Sequence, residues 1–557
     1  MTTAPGTPAG DRTTAHGTPA VPRAVADVLL DVLRAWDVRH IFTCPGSTEA
    51  AVLDALVVRD DLDLVLTTQE GVTVSIADGL SRATRRPSVA YLHANVGLTN
   101  GLSNLYAAQL AYSPVVVLNG LKASSIQARG GFTTGRRMRE LVHQYVKSDW
   151  QSLTADAIPE DVNRAFRTAV TEPAGPVWVG LSQDLTEQET SAAVPSVDGF
   201  RFDSRTAPAP AGLAEAAKLL AEAQRPVLVA GSELARVGAI DALVRLSEKL
   251  GLPVLHEDRR GLERPGFPTD HPHFHGQYTP QHPLVGEADL LVFLGARLFN
   301  EFEPPRVPQL PPGARVVHSH TDPQHVAAIH GVDVGLVGDQ RLLVEALLAG
   351  VPLPARPRPV PPSPPEPAPS RGGAGGRPRA AEVVDVLTDA LRGAALVGDA
   401  TTAGGVLQQR AEQRGGDDYF VSTSGSLGWG MGAALGVKLG LPHRRVAAVL
   451  GDGVFQFGMP ALWTAAHRNI PVSYVVLNNE RYAAVGAALR RFGGHAVHRD
   501  RWPGTDIAGP NIAEISSGFG VPGQRVDSLR DLRERLDAAG RVEHPTLIEV
   551  MTATDEF

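Results

Sequence analysis

The stretch from residue 451 to residue 479 constrains the fold more than any other part of the chain. It reads GDGVFQFGMPALWTAAHRNIPVSYVVLNN, so Gly-Asp-Gly follows one apolar run and Asn-Asn ends another, with 24 residues between the two motifs. The segment MPALWTAAHRN has a helical pattern, and apolar runs on either side of a helix predict two parallel strands joined by a crossover. We therefore expect a strand–helix–strand unit of a parallel sheet.

The polar residues of this unit are predicted to converge at one edge of the sheet. Asp452 follows the first strand, and Asn478 and Asn479 follow the second, at the strand ends where open α/β sheets bind ligands. Gly451 and Gly453 would let the backbone turn tightly beside the aspartate. A carboxylate and an amide oxygen suit Mg²⁺, which completes its shell with phosphates and water. An ordinary strand–helix–strand unit with turn residues at both ends is the alternative.

Composition excludes several classes of protein. A net charge of −8 argues against a nucleic-acid or anionic-membrane partner. The single cysteine, Cys44, excludes an internal disulfide framework and a cysteine-based metal cluster. No apolar stretch approaches the length of a membrane span. Residues 1–21 are rich in Thr, Ala, Gly and Pro without the apolar core of a secretory signal, so we expect a disordered tail and a cytoplasmic protein.

Two stretches without regular periodicity divide the chain. Residues 187–212 lose helical and strand patterns, and residues 351–380 are too dense in Pro and Gly to form a packed core. The three segments that remain share an alternation of strands and helices: residues 22–186, 213–350 and 381–557. Such alternation predicts an α/β protein of three consecutive doubly wound parallel-sheet domains.

The Gly-Asp-Gly and Asn-Asn spacing resembles the cofactor motif of thiamin-diphosphate-dependent enzymes, the family of pyruvate decarboxylases, acetolactate synthases and benzoylformate decarboxylases. A second motif, DLVLTTQEGVTVSIADGLSRAT, puts Glu70 after a strand on the first turn of a helix, as this family does with its catalytic glutamate. The resemblance covers nearly the whole chain after about residue 22, in the family's order. It implies a pyrimidine-binding domain, a middle domain and a diphosphate-binding domain, with thiamin diphosphate and Mg²⁺ as cofactors.

The resemblance also implies roles for individual residues. Glu70 would hydrogen-bond the aminopyrimidine ring and help the cofactor lose its proton; a surface glutamate that serves only the helix dipole is the alternative. Mg²⁺ would be held by Asp452, Asn479 and the main-chain carbonyl of Arg481. The other cofactor contacts would come from Thr401, Thr402, Gly425, Leu427, Gly451, Gly453 and Val454.

These further contacts differ in kind. Backbone amides of Gly453 and Val454 would bind the diphosphate. The carbonyl of Gly425 would accept a hydrogen bond from the pyrimidine amine, and Leu427 would hold the cofactor in its bent shape or simply belong to the core. The two threonines would place a hydroxyl near the cofactor.

Ser47 and His93 distinguish among subfamilies. Ser47 lies in CPGS and His93 in LHANVG, each after a predicted strand at the same sheet edge as Glu70. In benzoylformate decarboxylases, which this chain resembles most, a serine here binds the substrate carboxylate and a histidine relays protons, as suits a group with a pKa near neutrality. The pair favours non-oxidative decarboxylation of a 2-oxo acid with an apolar or aromatic side chain. A histidine satisfied within the core is the alternative.

The middle segment departs from benzoylformate decarboxylases, which carry a second catalytic histidine after the strand matching LLVFLGA. The corresponding residue is Phe302, and neither Asn300 nor Glu301 beside it is an imidazole. His273 and His275 would have to approach the active site from another loop. The simpler interpretation is that their segment is a surface loop without a catalytic role. Without the second proton donor, ligation competes with aldehyde release. A carboligase forming 2-hydroxy ketones or an acetolactate-type product is therefore the alternative function.

The resemblance implies a homodimer or homotetramer in which each cofactor bridges two subunits, acting on a small 2-oxo acid. FAD occurs in some middle domains of the wider family, but no sequence feature here requires it. An inert partner subunit is a remoter alternative, against which intact Glu70 and Asp452 argue. Residues 483–492 are expected to contribute to the substrate pocket, where Arg490 and Arg491 would either meet an acidic substrate or be solvated.

Overall fold

The computed structural model describes residues 21–353 and 376–555 of the chain. The predicted tail before residue 21, and residues 354–375 of the second predicted linker, lie outside these ranges. No helix within them is long and apolar enough to cross a membrane. Three six-stranded parallel sheets follow one another along the chain, which confirms the prediction of an α/β protein with three consecutive parallel-sheet domains. The exact domain boundaries stay predictions.

The first domain carries eight strands: β1 (Arg23–Ala24), β2 (His40–Cys44), β3 (Asp63–Leu66), β4 (Ser88–His93), β5 (Val115–Leu121), β6 (Ser148–Gln151), β7 (Val177–Ser182) and β8 (Glu189–Thr190). Its helices are α1 (Val25–Ala35), α2 (Ala50–Leu56), α3 (Glu70–Thr84), α4 (Ala94–Leu110), α5 (Ser124–Ala128), α6 (Met138–His143), α7 (Ile158–Val170) and α8 (Gln183–Thr186). β1 and β8 pair antiparallel, and the others form the parallel sheet in the order β3-β2-β4-β5-β7-β6. The order reverses beside β2 and β4, where such sheets open a crevice at the carboxyl ends of the strands.

The middle domain repeats this architecture with its own core. Its strands are β9 (Pro226–Ala230), β10 (Val254–His256), β11 (Phe274–Gln277), β12 (Leu290–Leu294), β13 (Arg315–His320) and β14 (Val334–Val337). Its helices are α9 (Pro210–Glu222), α10 (Ser232–Arg236), α11 (Ile240–Leu250), α12 (Pro283–Glu287) and α13 (Gln340–Gly350). The strand order is β11-β10-β9-β12-β13-β14. The reversal therefore falls beside β9 and β12.

The third domain is the one that contains the Gly-Asp-Gly and Asn-Asn motifs. Its strands are β15 (Ala395–Asp399), β16 (Tyr419–Val421), β17 (Val446–Gly451), β18 (Val472–Asn478), β19 (Gly523–Val526) and β20 (Thr546–Met551), in the order β16-β15-β17-β18-β20-β19. Its helices are α14 (Ala380–Ala390), α15 (Gly404–Arg410), α16 (Trp429–Gly440), α17 (Asp452–Gly458), α18 (Ala461–His467), α19 (Ala483–Phe492), α20 (His495–His498), α21 (Ile512–Gly518) and α22 (Leu529–Ala539).

The parallel strand pair predicted around the first motif is confirmed, because β17 and β18 are hydrogen-bonded neighbours with Gly451 opposite Leu477. The crossover differs from the prediction. A helix, α17, already begins at Asp452, and α18 follows it after a break. Asp452 favours this earlier start because a carboxylate stabilises the first turn of a helix. Pro460 caps the second helix, since it has no N–H to continue the first.

The first and third domains share one apolar core, to which Phe42 of β2 and Val397 of β15 both belong. Between them α3 and α16 pack backbone to backbone. A Cβ atom on Gly79 would lie 2.2 Å from the carbonyl oxygen of Ala433, and one on Gly436 would lie 2.0 Å from that of Ile76. Only glycine fits there, so the helix that begins at Glu70 is fixed against a helix of the third domain.

Candidate active site

Asp452 lies at the end of β17 as the first residue of α17, and it is buried. Its Oδ1 accepts a 2.7 Å hydrogen bond from the backbone amide of Gly453, while Oδ2 is buried without a hydrogen-bond partner among the described residues. Burial raises the pKa of this carboxyl to about 6, against the opposing effect of nearby backbone amides. A buried oxygen without a partner is costly unless a cation or a proton satisfies it. Asp452 therefore fits a metal ion.

The two asparagines at the end of β18 face different surroundings. Asn479 lines the same cavity as Asp452, and its Oδ1 accepts a 3.2 Å hydrogen bond from the amide of Arg481. Asn478 is buried, donates a 2.7 Å hydrogen bond to Glu549 Oε1, and so holds β18 to its neighbour β20. Successive side chains of a strand point to opposite faces. The expectation that both asparagines converge on the aspartate is wrong, and only Asn479 is available to a metal.

A cavity of about 350 Å³ opens above Asp452. Its walls include most of the residues matched to the cofactor: Thr401, Thr402, Leu427, Gly451, Gly453, Val454, Asn479 and Arg481. Gly425 is not among them; it is exposed in the loop before α16, with φ of +73°. Leu427 is half-buried and packs against the shared core, so it contacts both the core and the cavity.

Gly451 and Gly453 do not form the tight backbone turn that we expected beside Asp452. Gly451 has φ of −86°, and Gly453 lies within α17, so neither residue uses a conformation reserved for glycine. Gly453 is required for another reason, because a Cβ atom there would lie 2.6 Å from the ring of Tyr482. The glycine leaves room for an aromatic wall of the cavity.

In the first domain Glu70 and His93 are neighbours. Glu70 is half-buried at the start of α3, and its Oε2 accepts a 3.1 Å hydrogen bond from Asn100 Nδ2. Gly97 of α4 lies between the two: a Cβ atom there would be 3.4 Å from Glu70 Oε1 and 3.6 Å from His93 Cβ. The ends of β3 and β4 thus bring an acid and an imidazole together.

His93 is oriented by residues that sequence analysis missed. Its Nδ1 lies 3.1 Å from Glu49 Oε2 and 2.8 Å from Thr48 Oγ1. Glu49 is completely buried and also accepts a 2.7 Å hydrogen bond from the amide of Gly46. A carboxylate at Nδ1 favours the tautomer protonated there, which leaves Nε2 for the reacting groups. The sequence signal was a glutamate two residues after Ser47, directly before a mostly apolar helix.

Ser47 is exposed at the end of β2, and its Oγ accepts a 2.9 Å hydrogen bond from Lys122 Nζ. Lys122 directly follows β5, the strand beside β4, which ends at His93. Three neighbouring strand ends therefore present a hydroxyl, an imidazole and an ammonium at one edge. Lys122 was not identified from the sequence, where its signal was a cation immediately after the apolar run SPVVVLNG.

The one cysteine belongs to the same edge but is not reactive. Burial, and to a smaller extent the charges of Glu70 and Glu49, raises the pKa of the Cys44 thiol to about 11. Only the thiolate is a nucleophile. At neutral pH we therefore expect Cys44 to be protonated.

The two groups of residues do not share a cavity within one chain. The residues that line the cavity above Asp452 all belong to the third domain, and Glu70, His93 and Ser47 are not among them. The first domain touches the loop before α16 through Ser103, whose Oγ donates a 2.9 Å hydrogen bond to Ser426 Oγ and whose carbonyl accepts a 2.5 Å hydrogen bond from it. Across the part of the chain that the structure describes, the residues matched to the cofactor thus form two separate groups, one at Glu70 and one at Asp452.

The loop after β12 carries no histidine at Phe302, the position matched to the second catalytic histidine of benzoylformate decarboxylases. Phe302 is 64% exposed, and the Arg260 guanidinium stacks on its ring at 4.0 Å from the centroid. Asn300 donates a 2.7 Å hydrogen bond to the carbonyl of Arg260, and Glu301 is exposed. Arg260 and Phe302 thus form a cation–aromatic pair on the surface of the middle domain.

The two histidines considered as replacements are structural. His273 lies 2.7 Å from Ser247 Oγ through its Nδ1, and His275 is buried within β11. The expectation of a surface loop is wrong, because this segment forms a strand at the edge of the middle sheet. Neither histidine lines the cavity above Asp452.

Residues 483–492 form helix α19, and its first turn lines the cavity. Arg491 forms an ion pair with Glu303 of the middle domain, and the Arg490 guanidinium lies 5.6 Å from the centroid of the Trp502 ring. Both arginines are therefore engaged by the protein itself, and they are neither fully solvated nor free for an acidic substrate.

The corresponding edge of the middle sheet borders a smaller cavity, of about 200 Å³, and Glu257 is one of its lining residues. Glu257 follows β10 and is buried; its Oε1 accepts hydrogen bonds from the amide and hydroxyl of Ser232 at 2.6 and 2.7 Å. Its Oε2 accepts a 3.2 Å hydrogen bond from the amide of Arg297. Burial raises the pKa of this carboxyl to about 7. Arg236 stacks on Tyr112 of the first domain at 4.3 Å, so this edge also joins two domains.

Comparisons with known proteins agree with this architecture. Three models of thiamine pyrophosphate enzymes match: the N-terminal TPP binding domain over residues 23–138, the central domain over 213–347 and the C-terminal TPP binding domain over 399–550. Benzoylformate decarboxylase of Pseudomonas aeruginosa is 32% identical over 540 residues, covering 96% of this chain and 100% of that protein. A probable acetolactate synthase large subunit of Methanocaldococcus jannaschii is 25% identical, covering 94% and 91%. The structure of a thiamine diphosphate-dependent 4-hydroxybenzoylformate decarboxylase of Rhodococcus jostii RHA1 has a TM-score of 0.87, 29% identity and coverage of 96% and 100%.

Proposed function

The chain belongs to the thiamine pyrophosphate enzymes, and from that premise we propose that it is a Mg²⁺-dependent lyase that decarboxylates a 2-oxo acid without oxidation. The observation that carries this proposal is the Glu49–His93 pair beside Glu70 and Ser47 at one sheet edge. Relatives named for benzoylformate and 4-hydroxybenzoylformate support a substrate with an apolar or aromatic side chain.

The third domain would hold the cofactor. Bound thiamin diphosphate supplies a carbon that adds to the substrate carbonyl and accepts the electron pair left by CO₂. Asp452 Oδ2, Asn479 Oδ1 and the Arg481 carbonyl would hold Mg²⁺, for which carboxylate and carbonyl oxygens are the preferred ligands. The amide of Val454 at the start of α17 would bind the diphosphate, and so would the amide of Gly453 once it no longer donates to Asp452 Oδ1.

Further residues would complete the cofactor contacts. The Gly425 carbonyl would accept a hydrogen bond from the pyrimidine amine, Leu427 would support its bent shape, and Gly451 would leave room beside the diphosphate. A hydroxyl of Thr401 or Thr402 would face the cofactor.

The first domain would handle the protons. Glu70 would hold the aminopyrimidine in the form that removes a proton from the reacting carbon. Ser47 would bind the substrate carboxylate, and His93 would deliver a proton to the product through Nε2. Glu49 is a positioning residue, because it acts only through His93.

A complete site would require two copies of the chain. The half-site at Glu70 and the half-site at Asp452 do not meet within one chain, so each would be completed by the other subunit of a homodimer, alone or paired as a homotetramer. Analytical ultracentrifugation of the loaded protein tests this, and an active monomer would contradict it. We also propose a cytoplasmic location, which cell fractionation tests.

Ligation is the second candidate function, and Phe302 favours it. Without an imidazole in this loop, release of the aldehyde depends on His93 alone. If His93 delivered that proton slowly, the acyl unit left after loss of CO₂ would instead pass to the carbonyl carbon of a second substrate. The products would then be 2-hydroxy ketones or acetolactate-type acids.

One experiment separates these outcomes. The purified full chain is assayed against a panel of 2-oxo acids, with thiamin diphosphate and Mg²⁺ both present and each omitted in turn. Lyase activity predicts CO₂ and free aldehyde in equal amounts, dependent on both additions and greatest for aromatic donors. A condensed ketone in place of the aldehyde favours the second candidate. Absence of CO₂ with every acid would refute both.

A further inference from the structure

Lys122 has a position in the candidate site but no part in the function proposed above. Its Nζ donates a 2.9 Å hydrogen bond to Ser47 Oγ. None of the ion pairs among the described residues includes Lys122, although its side chain is half-buried. A partly buried ammonium without a counter-charge is unfavourable unless an anion completes its surroundings. The anion would lie beside Ser47, on the side of Lys122.

The backbone fixes this ammonium close to the reacting groups. His93 pairs with Gly120 in the register of β4 and β5, so Lys122 lies two residues beyond the partner of the histidine. The carbonyl of Gly120 accepts a 3.0 Å hydrogen bond from Thr48, which lies next to Ser47. Gln127 donates a hydrogen bond to the carbonyl of Lys122 at 2.5 Å and restrains its turn.

Decarboxylation is a poor use for an ammonium. The carboxylate that leaves as CO₂ loses its negative charge in the transition state, so an ion pair with it stabilises the starting acid more than the transition state. Only contacts that are stronger in the transition state raise the rate. A neutral hydroxyl such as that of Ser47 binds a leaving carboxylate with less opposition. An ammonium suits a carboxylate that keeps its charge throughout.

We propose that Lys122 binds a carboxylate that the reaction retains, next to the leaving carboxylate at Ser47, an inference that rests on the proposed function. Such a carboxylate has two sources. It belongs either to a second 2-oxo acid that accepts the acyl group, or to the far end of a dicarboxylic 2-oxo acid that is decarboxylated.

The first source gives a balanced ligation. Two 2-oxo acid anions and one proton yield one 2-hydroxy-3-oxo acid anion and CO₂. The bond from the donor's carbonyl carbon to its carboxylate breaks, and that carbon forms a bond to the acceptor's carbonyl carbon. The acceptor's carbonyl oxygen takes the proton, and its carboxylate stays with Lys122. The second source gives the ordinary lyase reaction, with the far carboxylate kept in the aldehyde.

Acceptor and donor competitions distinguish the two sources. The best donor of the 2-oxo acid panel is offered to the loaded enzyme with pyruvate or acetaldehyde as acceptor, and separately 2-oxoglutarate is compared with 2-oxopentanoate as donor. For the substrate that carries the retained carboxylate, Lys122→Met should lower kcat/KM about ten- to hundredfold, because the variant loses one charge-assisted hydrogen bond. A loss confined to pyruvate identifies the acceptor, and a loss confined to 2-oxoglutarate identifies the far carboxylate.

Two variants control this comparison. Lys122→Arg keeps the charge and should keep most of the wild-type preference for pyruvate over acetaldehyde, or for 2-oxoglutarate over 2-oxopentanoate. Lys218→Met removes an exposed lysine of α9, paired with Glu215 far from the site, and should change neither ratio. All variants should melt at the wild-type temperature.

Binding supplies a readout that does not depend on turnover. Oxamate and N-oxalylglycine, which mimic pyruvate and 2-oxoglutarate but cannot be decarboxylated, are titrated calorimetrically into the full chain with and without cofactor. Wild type should bind one of them about tenfold more tightly than Lys122→Met does, and added salt should reduce the difference.

The inference is overturned if a folded Lys122→Met variant binds each mimic as tightly as wild type does and also shows the wild-type acceptor and donor ratios. Failure of the proposed function has a different signature. The wild type would then release no CO₂ from any 2-oxo acid, whatever the mimics do.

Discussion

Two buried acids, at the carboxyl ends of strands in different domains, differ in how completely their oxygens are hydrogen-bonded. Asp452, after β17, and Glu257, after β10, both lie at the carboxyl end of a parallel strand, and burial raises the pKa of each, to about 6 and about 7. Glu257 has hydrogen-bond donors on both oxygens, from Ser232 and Arg297. Asp452 has one oxygen, Oδ2, that no described residue satisfies.

This difference separates an acid that can bind a ligand from an acid that only stabilises the fold. The same fold supplies the same edge in both domains, and a raised pKa marks both acids. A carboxylate fully satisfied by its own chain holds that chain together. Both acids line a cavity, so the oxygen that the chain leaves unsatisfied is what marks Asp452 as a cation ligand.

Asp452→Ala is the most severe test of this comparison. It removes the only charged group proposed for Mg²⁺, so Mg²⁺-dependent cofactor binding and all turnover should be lost. Glu257→Gln, the matched change at the satisfied edge, should leave cofactor affinity near wild type. Calorimetric titration of thiamin diphosphate with and without Mg²⁺ measures both. Equal affinities in the two variants would remove the distinction between the edges.

Glu70→Gln extends the comparison to the first domain, where the acid is half-buried and has one amide partner. Folding and cofactor affinity should persist, while CO₂ release should fall about 100- to 10,000-fold, as is typical when a group that acts on a proton is removed. NMR exchange of the cofactor's reactive proton gives the direct measurement. Exchange at the wild-type rate would show that Glu70 has another task.

Glu257 should also appear in the pH dependence of stability. Its folded pKa of about 7 lies above its ordinary value of 4.5, so the folded state binds the proton more tightly. The stability that this group contributes is therefore fully present below pH 4.5 and is lost as the pH rises through 7. The loss should reach about 3 kcal/mol in urea unfolding of wild type relative to Glu257→Gln. A constant difference between pH 4.5 and 8 would mean that the carboxyl is not desolvated.

The smallest effect is expected where the middle domain lacks an imidazole. Phe302→His should raise the ratio of free aldehyde to ligated product about threefold or more, since even a misplaced general acid contributes part of its usual effect. Phe302→Leu is the control, because it removes the ring that Arg260 stacks on without adding a proton donor. Product analysis with one donor and one fixed acceptor decides. A ratio that both variants leave unchanged would exclude this loop from the chemistry.

Much of the fold could be predicted because it depends on local patterns. Alternating apolar runs and helical segments indicated three parallel sheets, and the β17–β18 pair followed from two apolar runs around a crossover. The helix start at Glu70 and the strand ends at Ser47 and His93 were visible in the same way. α17 was missed because VFQFG has no helical period and owes its start to Asp452.

The partners of these residues could not be predicted, because they come together only in three dimensions. Glu49 is recognisable as a positioning group only once His93 is seen to lie against it. Lys122 belongs to the site because β5 lies next to β4, a fact that the spacing of strands along the chain does not contain. The opposite directions of Asn478 and Asn479 were within reach of sequence reasoning, since strand residues alternate.

The glycine contacts between α3 and α16 have a consequence for building new enzymes by recombination. A Cβ atom on Gly79 would collide with the backbone at Ala433, and one on Gly436 with the backbone at Ile76. A chimera that takes its first domain from one parent and its third from another would join helices that had never been fitted to each other. A working chimera therefore has to inherit α3 and α16 from the same parent.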